Sequence, residues 1–380
     1  MAKGIYIGGG GVARRVKKIY VGVGGVARKV KKGYIGVGGV ARPFYSVVDL
    51  AYYGKIAALG TARLDAVSAN AGNYIVFLGG NMSSDIEVSP SRAVDAYSST
   101  LVKATIDMLD AYGFRYDHTA ASVGQYALFP GGSNKTYQHS RVDAYNSSLV
   151  HSRAPDLSES RSTGNGGVSI GNYAITIGGR NASSYRKSAD AYDINLVKTR
   201  LPDLPEALDK TTAARAGNYA LILGYRPTVN EIRVFSYTAD LVRSTVELSL
   251  YRYYIKAASA GQYALFAGSG HVPSAMTDLV DVYNPSLVRS SIRLSEAKYD
   301  MSATSTGELA VFVNGKTPDR TNIFEVEAYD SSLTRRPMLS INTHSGCPGS
   351  IGKYVIVAGG RTYPGGAKDR TADVEVYLVT

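Results

Sequence analysis

Short apolar runs recur along residues 60–380, each closed by Gly, Asn or Tyr: YIVFLGG at 74–80, YALFPGG at 126–132, YAITIGG at 173–179, YALILGY at 219–225, YALFAGS at 263–269, LAVFVNG at 309–315 and YVIVAGG at 354–360. Five apolar residues are too few for a helix that buries a face. Their β-branched and aromatic content, with turn residues at both ends, predicts strands.

Two markers fix the period. A Gly-x-Tyr turn signal stands at Gly72, Gly124, Gly171, Gly217, Gly261 and Gly352, with Gly307-Glu308-Leu309 as a degenerate seventh, and the spacings are 52, 47, 46, 44, 46 and 45 residues. A tyrosine inside VDAY-like segments recurs at Tyr97, Tyr145, Tyr192, Tyr237, Tyr283, Tyr329 and Tyr377. Each unit holds four strand-like pieces; in the second they are HTAASVG, QYALFPGG, SRVDAYNSSL and the segment around SRAPDL. Four strands every 40–50 residues, seven times over, predict the blades of a β-propeller. The repeated Asp95, Asp143, Asp190 and Asp281 are too periodic for catalysis and are expected to make the same hydrogen bonds in each blade.

Closure is legible in the leucines. One follows each marker tyrosine by four residues (Leu101, Leu149, Leu196, Leu241, Leu287, Leu333), and a second comes after it (Leu109, Leu157, Leu204, Leu248, Leu294, Leu339). The seventh unit stops at Thr380 without either. Residues 46–59, SVVDLAYYGKIAAL, supply Leu50 and Leu59 at fitting offsets. This segment is therefore expected to be the missing fourth strand of the last blade, which removes two open sheet edges. The expected fold is all-β: a seven-bladed propeller over 45–380, closed by an N-terminal strand and preceded by an arm over 1–44.

The arm has its own repeat of 14 residues: IYIGGGGVARRVKK at 5–18, IYVGVGGVARKVKK at 19–32, and GYIGVGGVAR from 33, diverging at Pro43. Alternation around a Gly-Gly pair predicts a hairpin in each unit and an antiparallel meander overall. Charge sets this region apart. Residues 1–44 hold ten Lys and Arg and no Asp or Glu; of 42 basic residues in the chain this leaves 32 against 31 acidic ones for the body. The net charge of +11 is thus the charge of a cationic arm on a neutral body. The arm is expected to dock by strand edges and by Arg14, Arg15, Lys17, Lys18, Arg28, Lys29, Lys31 and Lys32 against an acidic surface. Nucleic acid ranks second as its partner, because Tyr6, Tyr20 and Tyr34 are its only base-stacking aromatics.

Composition narrows the chemistry. The one cysteine, Cys347, leaves no internal disulfide framework and no multi-cysteine metal site. The five histidines show no metal-ligand spacing, and no cofactor or metal is expected. No apolar run approaches the length of a membrane span, and the N-terminus lacks the apolar core of a secretory signal. Asp65, Asp117 and Asp300 fall at equivalent places ahead of the first strands, where three carboxylates can approach the central channel. Capping is the simpler reading of them. No catalytic residue is assigned, and the chain is expected not to be an enzyme.

VFLGG, LFPGG, TIGG and IVAGG, each followed by a loop and a DAY- or EVY-like strand, resemble kelch repeats over residues 46–380. The resemblance implies a propeller with a Gly-Gly pair ending strand two and an aromatic in strand three. The fourth-strand tryptophan of that family is absent, and the Gly-Gly pair is degraded at Gly224-Tyr225, Gly268-Ser269 and Asn314-Gly315. The tandem GYIGVGGVARKVKK-type units resemble the N-termini of structural proteins of tailed phages and prophages of Gram-positive bacteria. That resemblance implies a virion component at the tail or particle surface, oligomeric in the assembly and made in the host cytoplasm, with the arm bound to other virion proteins.

In propeller topology the loops between strands two and three share a face with the crossovers between blades. The expected ligand-binding face there comprises Tyr112, Tyr116, Tyr251, Tyr253, Tyr299, Arg180, Arg361 and Tyr363. Flat aromatics beside Asn, Ser and Arg suit a host-surface glycan or a protein surface. Two other readings stand beside this one: an intracellular kelch-type adaptor whose arm binds nucleic acid or acidic partners, and a carbohydrate-active propeller enzyme.

Overall fold

The computed structural model describes the chain except residues 1–5, 10–11, 16–19, 24–25, 31, 38–39, 47, 83–88, 108, 110–113, 135, 163–165, 226–232, 253, 269–275 and 363–368; for the strands up to residue 46 it describes the backbone alone. The chain divides into a unit of residues 1–49 with Thr380 and a unit of residues 50–379.

The first unit contains three hairpins: Tyr6–Gly9 with Val12–Arg15, Tyr20–Val23 with Val26–Lys29, and Lys32–Val37 with Val40–Ser46. Each is a separate two-stranded sheet, so the expected continuous meander is not formed among the described residues. Pairing of Gly9 with Val12 and of Val23 with Val26 leaves two residues for each turn. The third hairpin runs past residue 44 to Ser46, with Pro43 opposite Tyr34 beside a register shift at Gly33/Tyr34. Arg14, Arg15, Arg28, Lys29 and Lys32 lie on these strands; Lys17, Lys18 and Lys31 lie outside the described residues.

Among the described residues the second unit holds seven four-stranded antiparallel sheets, the blades of a propeller. Blades 1 to 6 span 67–104, 121–154, 168–201, 209–247, 256–293 and 302–340. Blade 7 is assembled from both ends of the unit: Cys347–Ile351, Tyr354–Ala358, Val374–Val379 and, from the N-terminal side, Leu50–Lys55. Val379 lies opposite Leu50, Tyr377 opposite Tyr52 and Glu375 opposite Lys55. The N–H of Leu59 reaches the carbonyl of Ala372 at 2.8 Å. The closing strand begins at Leu50, four residues later than the segment singled out in the sequence.

The second and third strands are buried on both faces, which is why they read as unbroken apolar runs. The Gly-x-Tyr marker makes the tight turn between strands one and two. Gly72, Gly124, Gly171, Gly217, Gly261 and Gly352 have φ of 55 to 57°, as the first position of a primed two-residue turn requires. The repeated leucines, Leu101 to Leu333, sit in the turn between strands three and four at φ of 58 to 66°. A bulky side chain in this region is strained, and packing of each leucine against a core cluster offsets that strain. Leu50 has no such φ, because the place of this hairpin turn in blade 7 is taken by the junction of two distant chain segments.

Neighbouring blades are held by one repeated device. A cation at the lead-in to the first strand is buried against the acid of strand three: Arg63–Asp95 at 2.7 Å, Arg115–Asp143, Arg161–Asp190 at 2.8 Å, Arg252–Asp281, and Lys298–Glu327 at 2.7 Å. The same acids accept N–H groups from the strand leaving the preceding blade: Gly60 to Asp95 at 2.8 Å, Ser158 to Asp190 at 3.2 Å, and Ser295 to Glu327 at 2.8 Å. The marker tyrosines donate to that outgoing strand as well, Tyr97 to the Ala57 carbonyl and Tyr377 to that of Ser340, at 2.8 and 2.9 Å. Burial alone raises Asp143; a hydrogen bond from His151 and the charges of Arg115 and Arg141 hold it well below the ordinary carboxylate range. The periodic aspartates therefore do make repeated hydrogen bonds.

Blade 4 departs in both partners at once, with Leu208 at the lead-in and a buried Phe235 in the acid's place in strand three, both in one apolar cluster. Leu208 still occupies the lead-in, since the N–H of Gly179 meets its carbonyl at 2.7 Å as that of Gly132 meets the Arg161 carbonyl at 2.9 Å. Removing one member of a buried pair strands the other charge, at a cost of about 3–5 kcal/mol, whereas an apolar replacement of both is close to neutral. We expect Arg161→Leu and Asp190→Phe to destabilise the propeller by about that much each. The double variant, which copies blade 4, recovers most of the loss in a double-mutant cycle read by urea unfolding. A double variant as unstable as the two losses summed contradicts this account.

Candidate functional site

The seven first strands surround a central channel with a cavity of about 630 Å³. Its waist is lined by small residues such as Ser68, Ala120, Gly167, Ala213 and Ala303. At the level two residues before the turn glycine runs a polar belt of Asn70, Ser122, Ser169, Arg215, Ser259, Ser305 and Ser350. These groups tie adjacent strands: the N–H groups of Asn70, Arg215 and Ser259 donate to the hydroxyls of Ser122, Ser259 and Ser305, each at 2.8 Å. Serine suits this belt because it fits beside a neighbouring backbone and also bonds to it.

Seven residues before the turn glycine, the chain enters the channel in the left-handed region. Six blades place Asp65, Asp117, Lys210, Tyr254, Asp300 and Ser345 there, with φ of 56, 51, 45, 58, 58 and 57°. The three aspartates are thus brought to one backbone position, as their spacing implied. Asp tolerates this conformation better than a bulky residue does, but the conformation itself belongs to the blade, since Tyr254 and Lys210 share it. Asp65 is exposed to the channel cavity yet surrounded by protein. Burial, then the charges of Asp117 and Asp300, push its carboxyl up to about 6 against the pull of Lys256 and Arg361. Asp117 is also raised by burial, with Lys210 and Arg180 opposing. Asp300 goes the other way: burial raises it, but the Lys316 ammonium at 2.7 Å holds it below the ordinary range. Lys256 projects among all three carboxylates, and burial lowers it despite their charge. Two sites in one cavity with opposite proton affinities can hold a proton on one side and a negative charge on the other.

Of the five described residues of the expected face, four lie in one layer. Tyr116 bridges Ser133, Arg180 bridges Ser162, Tyr299 bridges Lys316 and Arg361 bridges His344 through the backbone. Arg180 is exposed, with Nε 3.8 Å from Asp209. Tyr116, Tyr251 and Arg361 are half-buried. Tyr299 departs from the expectation: at 8% exposure it is a wall of the blade and offers no open ring. Tyr112, Tyr253 and Tyr363 lie outside the described residues. The open aromatics of this face are others, Phe114, Tyr137 at 49% and Tyr185 at 40% exposure. Tyr137 and Tyr185 lie in the polar loops SNKTYQHS and RNASSYRKS between strands two and three.

The cations that shape the channel mouth, Lys210, Lys256 and Lys316, escaped the sequence reading because each occurs in one blade alone. His118 is buried and pushed down to about 3 by burial and by Arg115. The Cys347 thiol lines the channel and is pushed up to about 12 by burial, the opposite of an activated nucleophile. Among the described residues no group of three or more His, Cys, Asp or Glu is arranged to hold a metal, and no helix is long and apolar enough to cross a membrane.

No family model matches the chain, so the kelch-like motifs stand as a resemblance. No curated protein matches it either. Its fold is similar to that in a solved structure titled "Structure of YjhT", with a TM-score of 0.53 and 13% identity, covering 74% of this chain and 99% of that one. At that identity the similarity speaks to the fold alone.

Asp65 gives the mouth a pH signature. Folding raises its carboxyl from the ordinary 3.8 to about 6, so the folded chain binds the extra proton between those values. The contribution of Asp65 therefore turns against folding as pH rises from about 4 to about 6. Asp65→Asn should melt higher than the wild type at pH 7, with the difference shrinking toward pH 4. Parallel melting profiles across that window contradict the placement of this charge.

Proposed function

We propose that the chain is a non-enzymatic structural component of a bacteriophage particle, anchored by its basic arm and presenting the loop face of the propeller to a host glycan or neighbouring protein. The observation that carries this reading is the presence of open rings on that face. Tyr137 and Tyr185 are about half exposed on the loops of adjacent blades, beside Asn134, Asn181 and the exposed Arg180. Asn134 and Asn181 hold these loops in shape, accepting from Tyr137 N–H at 3.0 Å and from Ser184 N–H at 2.9 Å. Preformed loops lose little entropy on binding, and an aromatic platform flanked by amide and guanidinium groups suits the alternating apolar and hydroxyl faces of a sugar. The arm supports the anchoring role by its charge: ten cations without an acid need a counter-surface that the nearly neutral body does not supply.

Purified chain bound to immobilised host-wall glycan measures the first half. Tyr137→Ala and Tyr185→Ala are each expected to weaken retention by roughly tenfold, equivalent to about 1.4 kcal/mol. Arm neutralisation tests the second half: Arg14, Arg15, Arg28 and Lys29 changed to Gln should abolish incorporation into particles while leaving propeller melting unchanged. Retained incorporation together with unaltered glycan binding overturns the proposal.

A carbohydrate-active enzyme is the second reading, favoured by the split between Asp65, raised, and Asp300, lowered, in one cavity. Turnover of wall glycan that disappears in Asp65→Asn and Asp300→Asn would place the chemistry in the channel; absence of turnover in the wild type leaves binding as the function.

A further inference from the structure

Six blades place a basic residue opposite the marker tyrosine at the start of the outermost strand. The pairs are Tyr97 with Lys103, Tyr145 with His151, Tyr192 with Lys198, Tyr237 with Arg243, Tyr283 with Arg289 and Tyr329 with Arg335. These side chains clip back onto the preceding blade: Lys103 onto the Ala58 carbonyl at 2.6 Å, Lys198 onto that of Asp156 at 2.7 Å, and Arg289 onto that of Glu247 at 2.8 Å. They also lay charge along an exposed sheet edge, the usual defence against edge-to-edge association. Blade 7 breaks the rule, because Tyr377 lies opposite Tyr52.

The closing strand, Leu50–Lys55, carries no charge before Lys55, and Lys55 is tied to Asp373 at 2.7 Å. Tyr52 and Tyr53 stand 48% and 55% exposed on this edge. Tyr52 meets the Tyr377 ring edge-on at 5.5 Å and Tyr53 meets that of Tyr354 at 5.4 Å, so both rings are held in place by the blade rather than free to fold away. Adjacent residues of a strand point to opposite faces, and the two rings straddle the edge.

We propose that this edge is a self-association surface, at which the closing blade of one chain meets the closing blade of a second copy about a two-fold axis. Charge selects this occupant. Two copies meeting at blades 1 to 6 would oppose rows of Lys, Arg and His, whereas at blade 7 they oppose tyrosines. An isologous contact needs only one self-complementary patch, and rigid aromatic rings are the side chains that such contacts favour. The register shift at Val376/Tyr377 and the φ of 139° at Gly54 twist the strand beyond Tyr52. The contact is therefore made by the rings and by little main-chain pairing.

Sedimentation velocity on the full chain, from about 1 to about 100 μM, reads the association directly. The wild type is expected to dimerise with little dependence on salt. Tyr52→Lys installs the residue that blades 1 and 3 carry at this place, so the propeller should keep its melting temperature while the dimer weakens by tenfold or more. Tyr53→Lys, on the other face of the strand, tests the same contact should Tyr52→Lys disturb packing on Tyr377. A wild type that stays monomeric overturns the proposal, as does a dimer that both variants leave intact. Association abolished by salt but untouched by either variant assigns the contact to the arm and equally overturns it.

Discussion

One sheet decides whether this chain has a fold at all. Seven twisted sheets around an axis leave two raw edges unless the last is completed from the other end of the chain, and here Leu50–Lys55 completes it against Val374–Val379. The ladder joins residues more than 300 positions apart, so its closure entropy is large and no local contact repays it. The seams between blades repay it instead. At most of them an acid and a tyrosine of one blade bond to the strand that leaves the preceding blade, and a glycine bonds to the lead-in of the next. The last link of this kind, Gly360 N–H to the Arg63 carbonyl at 2.9 Å, joins blade 7 to blade 1 and shuts the circle.

Those seams show why the repeat tolerates some changes and not others. The acid of strand three is bonded from two sides, by a cation of its own blade and by N–H groups of the outgoing strand. Blade 4 dispenses with charge and acid together. Blade 7 keeps the acid as a buried Glu375 but has Thr343 at the lead-in, and Glu375 draws instead on the N–H of Asn342 at 3.1 Å. In no blade is a buried acid left without donors, as the cost of an unpaired buried charge requires. The repeat conserves satisfaction of the acid and lets the identity of its partners vary.

Much of this was legible before any coordinates, because a seven-fold pattern reports its own exceptions. The Gly-x-Tyr and VDAY-like markers gave the blade count, and the missing leucines of the last unit pointed to the N-terminal segment. What the spacing could not convey was physical role. Leu101 and its equivalents lie in left-handed turns, while Leu50 merely begins a strand. The arm repeats promised a meander and form three separate hairpins, since alternation specifies each strand but not which strands pair. Tyr299 looked like a surface aromatic because its neighbours are polar, yet its backbone bridge to Lys316 turns it into a wall. Lys256 was invisible because nothing repeats it.

That last point separates the scaffold from whatever it carries. The residue seven places before each turn glycine has the same left-handed backbone in six blades, whatever side chain it bears: Asp, Lys, Tyr or Ser. A conformation held by the whole blade, at a cost of about 1–2 kcal/mol for an L-residue, delivers each side chain to the channel mouth from an equivalent angle. Selection can then change the side chain without disturbing the seam. The edge of blade 7 follows the same logic, with Tyr52 in a register slot that six other blades give to a basic group. In a molecule built by repetition, periodic residues are accounted for by packing. The search for recognition belongs where the backbone repeats and the side chain does not.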